Sequence, residues 1–264
     1  MRVIVTRPLQ EAGKWVDALR ESGYDAVALP LIGVAAAPDP QAVRTAWARV
    51  PTFDAVMFVS GNAVAHFFAL KPMQAPVFVA GAAIKTRAFV TGPGSFSALL
   101  HAGAEPGCID APDRDAGQFD SEALWAVVRH RVRPGYRVLV VRGAGSAGGS
   151  GDEGSGRDWF ASQVLAAGGQ VEFVVAYQRE RPVLSDAQRI LANQAAQDGS
   201  VWLFSSSEAI GNLQAVCPGQ SWQHASAVVT HPRIAQAARE AGFAVVCESR
   251  PALAHLMASI ESLQ

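Results

Sequence analysis

The chain has 264 residues, half of them apolar and 17% charged, with a formal net charge of −1. Such a chain is long enough for one large or two smaller globular domains, and its near-neutral balance excludes the broad basic field that nucleic-acid binding needs. Three scattered cysteines without a CxxC pair suit a reducing compartment as small core residues, and six dispersed histidines without ligand spacing give no support to a metal site.

The opening MRVIVTRP contains an apolar run that Arg7 and Pro8 end far too early for a secretory signal. No later run approaches transmembrane length, so the expected location is the cytoplasm, with no membrane association. Val3-Ile4-Val5 reads as a buried parallel strand, followed by a helix with Leu9, Ala12, Val16 and Leu19 on one stripe. Gly23 suits the C-terminal cap of that helix, and Ala26 to Ile32 reads as a returning strand, completing a βαβ unit. The same unit recurs at Arg137 to Tyr177. There RVLVVRG is the strand, Asp158 to Ala167 the helix, Gly168 the cap and VEFVVAY the returning strand. Sliding Gly23 onto Gly168 also aligns Trp15 with Phe160, Leu19 with Val164 and Ile32 with Tyr177.

Two further blocks repeat. The strand-to-helix corner FVSGNAV corresponds to FSSSEAI, pairing Ser60 with Ser206, and VTGPGSFSALLHAG corresponds without a gap to VTHPRIAQAAREAG. Matching blocks of this length predict two similar α/β domains rather than a solenoid. AAAPDP (Ala35–Pro40) and RERPVLSD (Arg179–Asp186) read as linkers, and the low-complexity GAGSAGGSGDEGSG (Gly143–Gly156) as a loop. That loop lacks the order of a phosphate-binding P-loop. The basic run Arg129-His130-Arg131, with Arg133 and Arg137 behind it, reads as a solvated helix end.

Parallel α/β domains bind ligands beyond the carboxyl ends of their strands, and the bends expected there carry hydroxyls and helix-start N–H groups. They are Thr6-Arg7, Ser60-Gly61-Asn62, Thr91 to Ser95 with Gly92 and Gly94, Arg142-Gly143, Ser205-Ser206-Ser207, and Thr230-His231 with Arg233. As plain helix caps Ser206 and Asn62 need no further role. Converging on one rim, all six bends would suit a polyanion. No GxSxG elbow, cysteine–histidine pair or catalytic carboxylate pair is visible; Asp120 and Glu122 suit a helix start. Tyr177 ends a strand just before a linker. Such a tyrosine commonly packs and makes one hydrogen bond, but a phenol, ionising near pH ~10 in water, is also a reasonable weak acid for a departing hydroxyl. On these residues alone three readings stand level. They are an enzyme acting on a polyanion, a two-lobed non-catalytic anion-binding module, and a two-domain nucleotide-sugar transferase.

Taken in order, VIVTRP, FDAVMFVSGNAV, GPGSFSALLHAG, FDSEALW, VVAYQRERP, LFSSSEAIGNL and VTHPRIAQAA resemble the uroporphyrinogen-III synthase family nearly end to end. The resemblance implies two flavodoxin-like parallel-sheet domains joined by a pair of extended linkers, with the active-site cleft between them. The first domain would be discontinuous, 1–36 plus 181–264, and the second would be 37–180. The implied reaction needs no cofactor. Hydroxymethylbilane, a linear tetrapyrrole polycarboxylate, loses its terminal hydroxyl to give an azafulvene, and a spiro intermediate then leads to the macrocycle with ring D inverted. Closure without enzyme gives the uninverted isomer, so the protein's task is mainly to hold one folded conformation.

By position, the resemblance makes Tyr177 the candidate to assist hydroxyl departure. Ser95 takes the place of a threonine in the family's GPGTA pattern. Ser60 to Asn62 and Ser205 to Ser207 match the two strand-end corners expected to bind carboxylates, and Thr6 with Arg7 matches the family's TRP corner. The stretch THPRI departs from the family pattern, since Ile234 replaces a hydroxyl residue; His231 or Arg233 would then be the donors there. Single corner hydroxyls such as Ser60 or Ser206 are expected to cost little when removed. The upstream hydroxymethylbilane synthase is an implied transient partner.

Overall fold

The structure, a computed structural model, describes residues 1–73, 75, 78, 79, 85–113, 116, 118–145 and 155–263. The first elements are β1 (Arg2–Val5), α1 (Leu9–Glu21), β2 (Asp25–Ala28) and β3 (Gly33–Ala36). Next come α2 (Pro40–Arg49), β4 (Ala55–Phe58), α3 (Gly61–Ala69), β5 (Arg87–Val90), α4 (Pro93–His101) and β6 (Ile109–Asp110). They are followed by α5 (Ser121–Val128), β7 (Arg137–Ala144), α6 (Ser155–Ala166) and β8 (Gln170–Glu180). The chain then runs through α7 (Asp186–Ala195), β9 (Val201–Phe204), α8 (Ser207–Val216), β10 (Ser226–Val229), α9 (Pro232–Glu240), β11 (Val245–Glu248) and α10 (Leu253–Glu261).

Two compact units result, one from Met1–Gly33 with Glu180–Gln264 and the other from Val34–Arg179. In the first, the sheet order is β2-β1-β9-β10-β11 with every neighbour parallel. Numbered along that unit's own chain this is 2-1-3-4-5, the flavodoxin-like order. The second sheet runs β3-β8-β7-β4-β5-β6, and its pairs from β8 to β6 are parallel. Leaving out β3, and starting the count at β7, gives the same 2-1-3-4-5 order; the second unit is a circular permutation of the first.

The repeat is equally plain in detail. Arg2 faces Asp25 and Val5 faces Ala28; in the second unit Arg137 faces Gln170 and Val140 faces Phe173. Both connecting helices also stop in the same way. Gly23 donates to the Arg20 carbonyl at 2.9 Å and Tyr24 to Leu19 at 3.0 Å; Gly168 donates to Leu165 and Gly169 to Val164, both at 2.9 Å. That double bond pattern needs a left-handed residue just past the helix, and φ is +88° at Gly23 and +79° at Gly168.

The central strands are apolar throughout because helices cover both faces. Along β4, Val56 and Phe58 enter a core with Val64 and Phe67 of α3, while Ala55 and Met57 enter another with Leu124 of α5 and Phe160 of α6. The first unit alternates likewise, Val3 and Val5 against Leu19 and Leu256, Ile4 against Ile210 and Ala235. Helix starts are fixed locally: Asp39 caps α2, Asp120 caps α5 as the sequence suggested, and Ser185 with Gln188 forms a capping box on α7.

Several expectations need correction. The segment read as the first linker is largely structured, since Ala35 and Ala36 belong to β3 and Asp39-Pro40 opens α2. At the second linker, Arg179 and Glu180 still belong to β8. The returning strand of the first unit is Asp25–Ala28 and ends before Ile32. Arg142 and Gly143 are not a bend: β7 continues through them to Ala144 because β8 keeps pairing with it. Of the glycine-rich stretch, residues 146–154 lie outside the described residues, and α6 begins at Ser155, earlier than the sequence indicated. The basic run after α5 is not simply solvated, since Arg131 reaches Asp110 at 3.2 Å and Arg137 reaches Glu172 at 3.0 Å. Only Cys217 among the cysteines is buried.

Candidate active site

In the second unit Ser60 lies two residues past the end of β4, and its extended backbone (φ −163°) lets its Oγ accept from the Ala63 N–H at 3.1 Å and cap α3. Gly61 and the nearly buried Asn62 form the first turn. Beyond the neighbouring strand β5, Gly92 takes the N-cap position of α4 ahead of Pro93, with Gly94 and the buried Ser95 in the turn beyond. A Cβ at Gly61 would sit 3.6 Å from the Gly94 carbonyl, so these two corners adjoin. Gly92 is closely approached, since a Cβ there would lie 3.3 Å from that of Phe119.

Tyr177, on β8, is brought to the same rim. Its hydroxyl lies 3.1 Å from Ser60 Oγ, and only 5% of the residue is exposed. His66, in the second turn of α3, stacks on the tyrosine ring at a centroid distance of 5.7 Å and an interplanar angle of 27°. Ser60, Gly61, Asn62, Gly92, Gly94, Ser95 and Tyr177 are thus gathered in one place. Arg142 is not. It falls on the face of Val138 and Val140, away from the core that holds Tyr177, and its guanidinium lies 4.6 Å over the Phe173 ring.

Burial lowers the His66 pKa below that of a free histidine. The unfolded chain therefore takes up this proton first as pH falls, and the contribution of His66 to stability is intact above about pH 6.5 and lost below it. Urea unfolding of His66→Gln is expected to show a flatter loss of stability between about pH 7.5 and 5 than the wild type. An unchanged slope would show that the ring titrates alike in both states.

The first unit carries the other corners. Thr6 is buried, and its hydroxyl donates to the Leu203 carbonyl at 2.7 Å, tying β1 to β9. Arg7 pairs with Glu11 at 2.9 Å and lies 4.1 Å over the Trp15 ring. Ser205 follows β9, Ser206 caps α8 by accepting from the Glu208 N–H at 3.1 Å, and Ser207 is the first residue of that helix. Thr230 follows β10, and His231 Nδ1 caps α9 by accepting from the Arg233 N–H at 3.1 Å. Ile234 is buried in the core. Since β1, β9 and β10 are parallel neighbours, Thr6, Ser205 to Ser207 and Thr230 to Arg233 share one edge of this unit. The helix starts there direct N–H groups outward, the arrangement that attracts carboxylates.

The sequence offered no signal for His66, and it named Gly143 only as part of a bend. Among the described residues no group of three or more histidine, cysteine, aspartate or glutamate side chains could hold a metal ion.

The fold and these rims define a doubly wound α/β protein of paired flavodoxin-like units with helix starts suited to anions. A family model described as uroporphyrinogen-III synthase HemD matches residues 13–258. The fold resembles that of uroporphyrinogen-III synthetase from Helicobacter pylori, with 14% identity, TM-score 0.58 and 100% of both chains covered. It is also similar to a mutant uroporphyrinogen III synthase from Thermus thermophilus, with 13% identity and TM-score 0.54 over 100% of this chain and 98% of that one. The chain belongs to the uroporphyrinogen-III synthase family. Its activity is that of a cyclising lyase of tetrapyrrole (haem) biosynthesis, closing hydroxymethylbilane to uroporphyrinogen III with inversion of ring D.

Proposed function

We propose that the chain directs this closure by holding the linear tetrapyrrole through the strand-end corners of both units, with Tyr177 assisting departure of the terminal hydroxyl. The observation that carries the assignment is the pairing of the Tyr177 and Ser60 hydroxyls at the carboxyl ends of β8 and β4. Chemically the pair is versatile. Ser60 Oγ already accepts the Ala63 N–H, and with Tyr177 donating to it as well, Ser60 directs its own hydrogen to the substrate. In this arrangement the proton passes along the hydroxyl pair toward the leaving oxygen, which departs as water.

The duplicated architecture gives independent support. At the position equivalent to Tyr177 the first unit has Ile32, buried in the core beneath α8, while Ser206 occupies the place of Ser60. The fold builds the same corner without a phenol, so packing alone does not demand one.

In this reading the carboxylates are bound by helix-start N–H groups at Ser60 to Asn62, Gly92 to Ser95, Ser205 to Ser207 and Thr230 to Arg233. Arg7 adds positive charge at its own corner. Thr6 acts through its backbone and by tying β1 to β9, because its hydroxyl is turned inward. The spontaneous closure of hydroxymethylbilane makes hand-over from the upstream hydroxymethylbilane synthase, within a transient encounter, part of the same proposal. We place the activity in the cytoplasm; no helix among the described residues is long and apolar enough to cross a membrane.

The two corner serines separate the roles. Ser206→Ala, which removes the cap of α8, is expected to change kcat less than about threefold while lowering stability by about 1 kcal/mol. Ser60→Ala, which also removes the partner of Tyr177, is expected to lower kcat about tenfold, as loss of one well-placed hydrogen bond does. Equal, small losses in steady-state rate would remove the hydroxyl pair from the mechanism.

A further inference from the structure

Tyr177 reaches Ser60 because β8 carries one residue more than β7 at this point. Arg142 faces Val175, whereas Gly143 faces Tyr177, so Ala176 is the extra residue of a β-bulge. Side chains on a strand alternate between faces, and Val174 and Ala176 point into the core beneath α3. Regular alternation would send Tyr177 to the opposite face, toward α5 and α6. The bulge returns it to the α3 face beside Ala176, the re-aiming for which bulges are used near functional sites.

The ring then lies directly against Gly143. A Cβ built there would be 2.6 Å from Cε2 and 2.9 Å from Cε1 of Tyr177, and closer still to Cζ, the carbon that bears the hydroxyl. Gly143 is not among the glycines with positive φ, so its backbone is open to any residue. The three atoms nearest to such a side chain all belong to the tyrosine ring. Any Cβ at this position must displace the hydroxyl end of the ring, the end held by Ser60.

We propose that Gly143, with the bulge at Ala176, is a positioning element for the reaction: its missing side chain is the seat that aims the Tyr177 hydroxyl at Ser60. The kinetic part of this proposal rests on the role given to Tyr177 above; the steric part does not.

The test compares Gly143→Ala, Tyr177→Phe, Tyr177→Ala and the Gly143→Ala/Tyr177→Ala double variant, with hydroxymethylbilane generated in situ. Gly143→Ala is expected to lower kcat about tenfold with KM within about twofold, the signature of an interaction felt in the transition state. In the Tyr177→Ala background the same methyl group is expected to change kcat less than about twofold, since no ring remains to displace. A second readout is ¹³C NMR of the protein labelled at tyrosine Cζ. The chain has 3 tyrosines, and the Tyr177 resonance is the one missing from Tyr177→Phe. It is expected to shift in Gly143→Ala and in Ser60→Ala, while those of Tyr24 and Tyr136 stay in place. If Gly143→Ala fails to fold, recovery of folding in the double variant supports the same steric assignment. An unmoved resonance, or an equal loss of kcat in both backgrounds, would overturn the seat. A shifted resonance combined with wild-type turnover in Tyr177→Phe would support the seat and overturn the catalytic reading of Tyr177 instead.

Discussion

Replacing Tyr177 with phenylalanine is expected to lower kcat about 10- to 100-fold while leaving the unfolding midpoint within a few degrees of wild type. The ring, which packs in the core beneath α3 and stacks with His66, is preserved; only the hydroxyl is lost. General-acid assistance contributes about 10²–10⁴-fold in typical enzymes. A loss at or below the lower end is expected because, in the proposed reading, the chain acts mainly by folding the substrate into one conformation. The KM should change little, since carboxylate binding by helix-start N–H groups is untouched. As the enzymatic rate falls, spontaneous closure competes better, so the fraction of type I isomer should rise. Steady-state rates with isomer analysis measure both effects. Wild-type turnover in this variant would remove the phenol from the mechanism.

Trp47→Ala is expected to cause the largest loss of stability, about 3–5 kcal/mol in the second unit, read as a lower urea midpoint. Trp47 is 1% exposed, stacks on Phe67 at 4.4 Å, meets Phe68 edge-on, and donates its Nε1–H to the Phe67 carbonyl at 2.7 Å. It thereby fastens α2 to α3, the helix that Ser60 caps and that carries His66. Truncation removes the ring, leaves a cavity and frees the far end of α3. Activity should fall in proportion to the unfolded fraction, and a loss well under about 1 kcal/mol would show that α2 does not clamp α3. Trp47→Phe is expected to recover most of the packing but not the hydrogen bond.

Most of the fold was legible because its strands are buried on both faces and so read as short apolar runs, VIV, VMFV, VLVV and VWLF among them. The repeat was legible through the positions that geometry restricts most: Gly23 and Gly168 past their helices, Ser60 and Ser206 at helix starts. β3 was missed because Gly33–Ala36 is short, only partly buried, and followed at once by Pro38 and Pro40, which read as a linker. Arg142 and Gly143 were read as a bend because they close the apolar run of β7, as Thr6 and Arg7 close that of β1. The analogy fails there because β8 is much longer than β2 and keeps its partner paired. A bulge depends on the register between two strands far apart in the chain, and no local pattern in β8 announces it. For the same reason neither the stacking of His66 on Tyr177 nor the seat at Gly143 was visible until β7, β8 and α3 were placed side by side. Thr6 shows the complementary limit: its corner was found correctly, but the inward turn of its hydroxyl to Leu203 follows from packing that sequence does not display.

The central claim is that this chain closes hydroxymethylbilane with inversion of ring D. The most direct test supplies the purified protein with hydroxymethylbilane generated in situ, oxidises the products and separates the porphyrin isomers by chromatography. Predominance of uroporphyrin III, rising with protein concentration, is the predicted result. Formation of the type I isomer alone, by protein shown to be folded, would contradict the account.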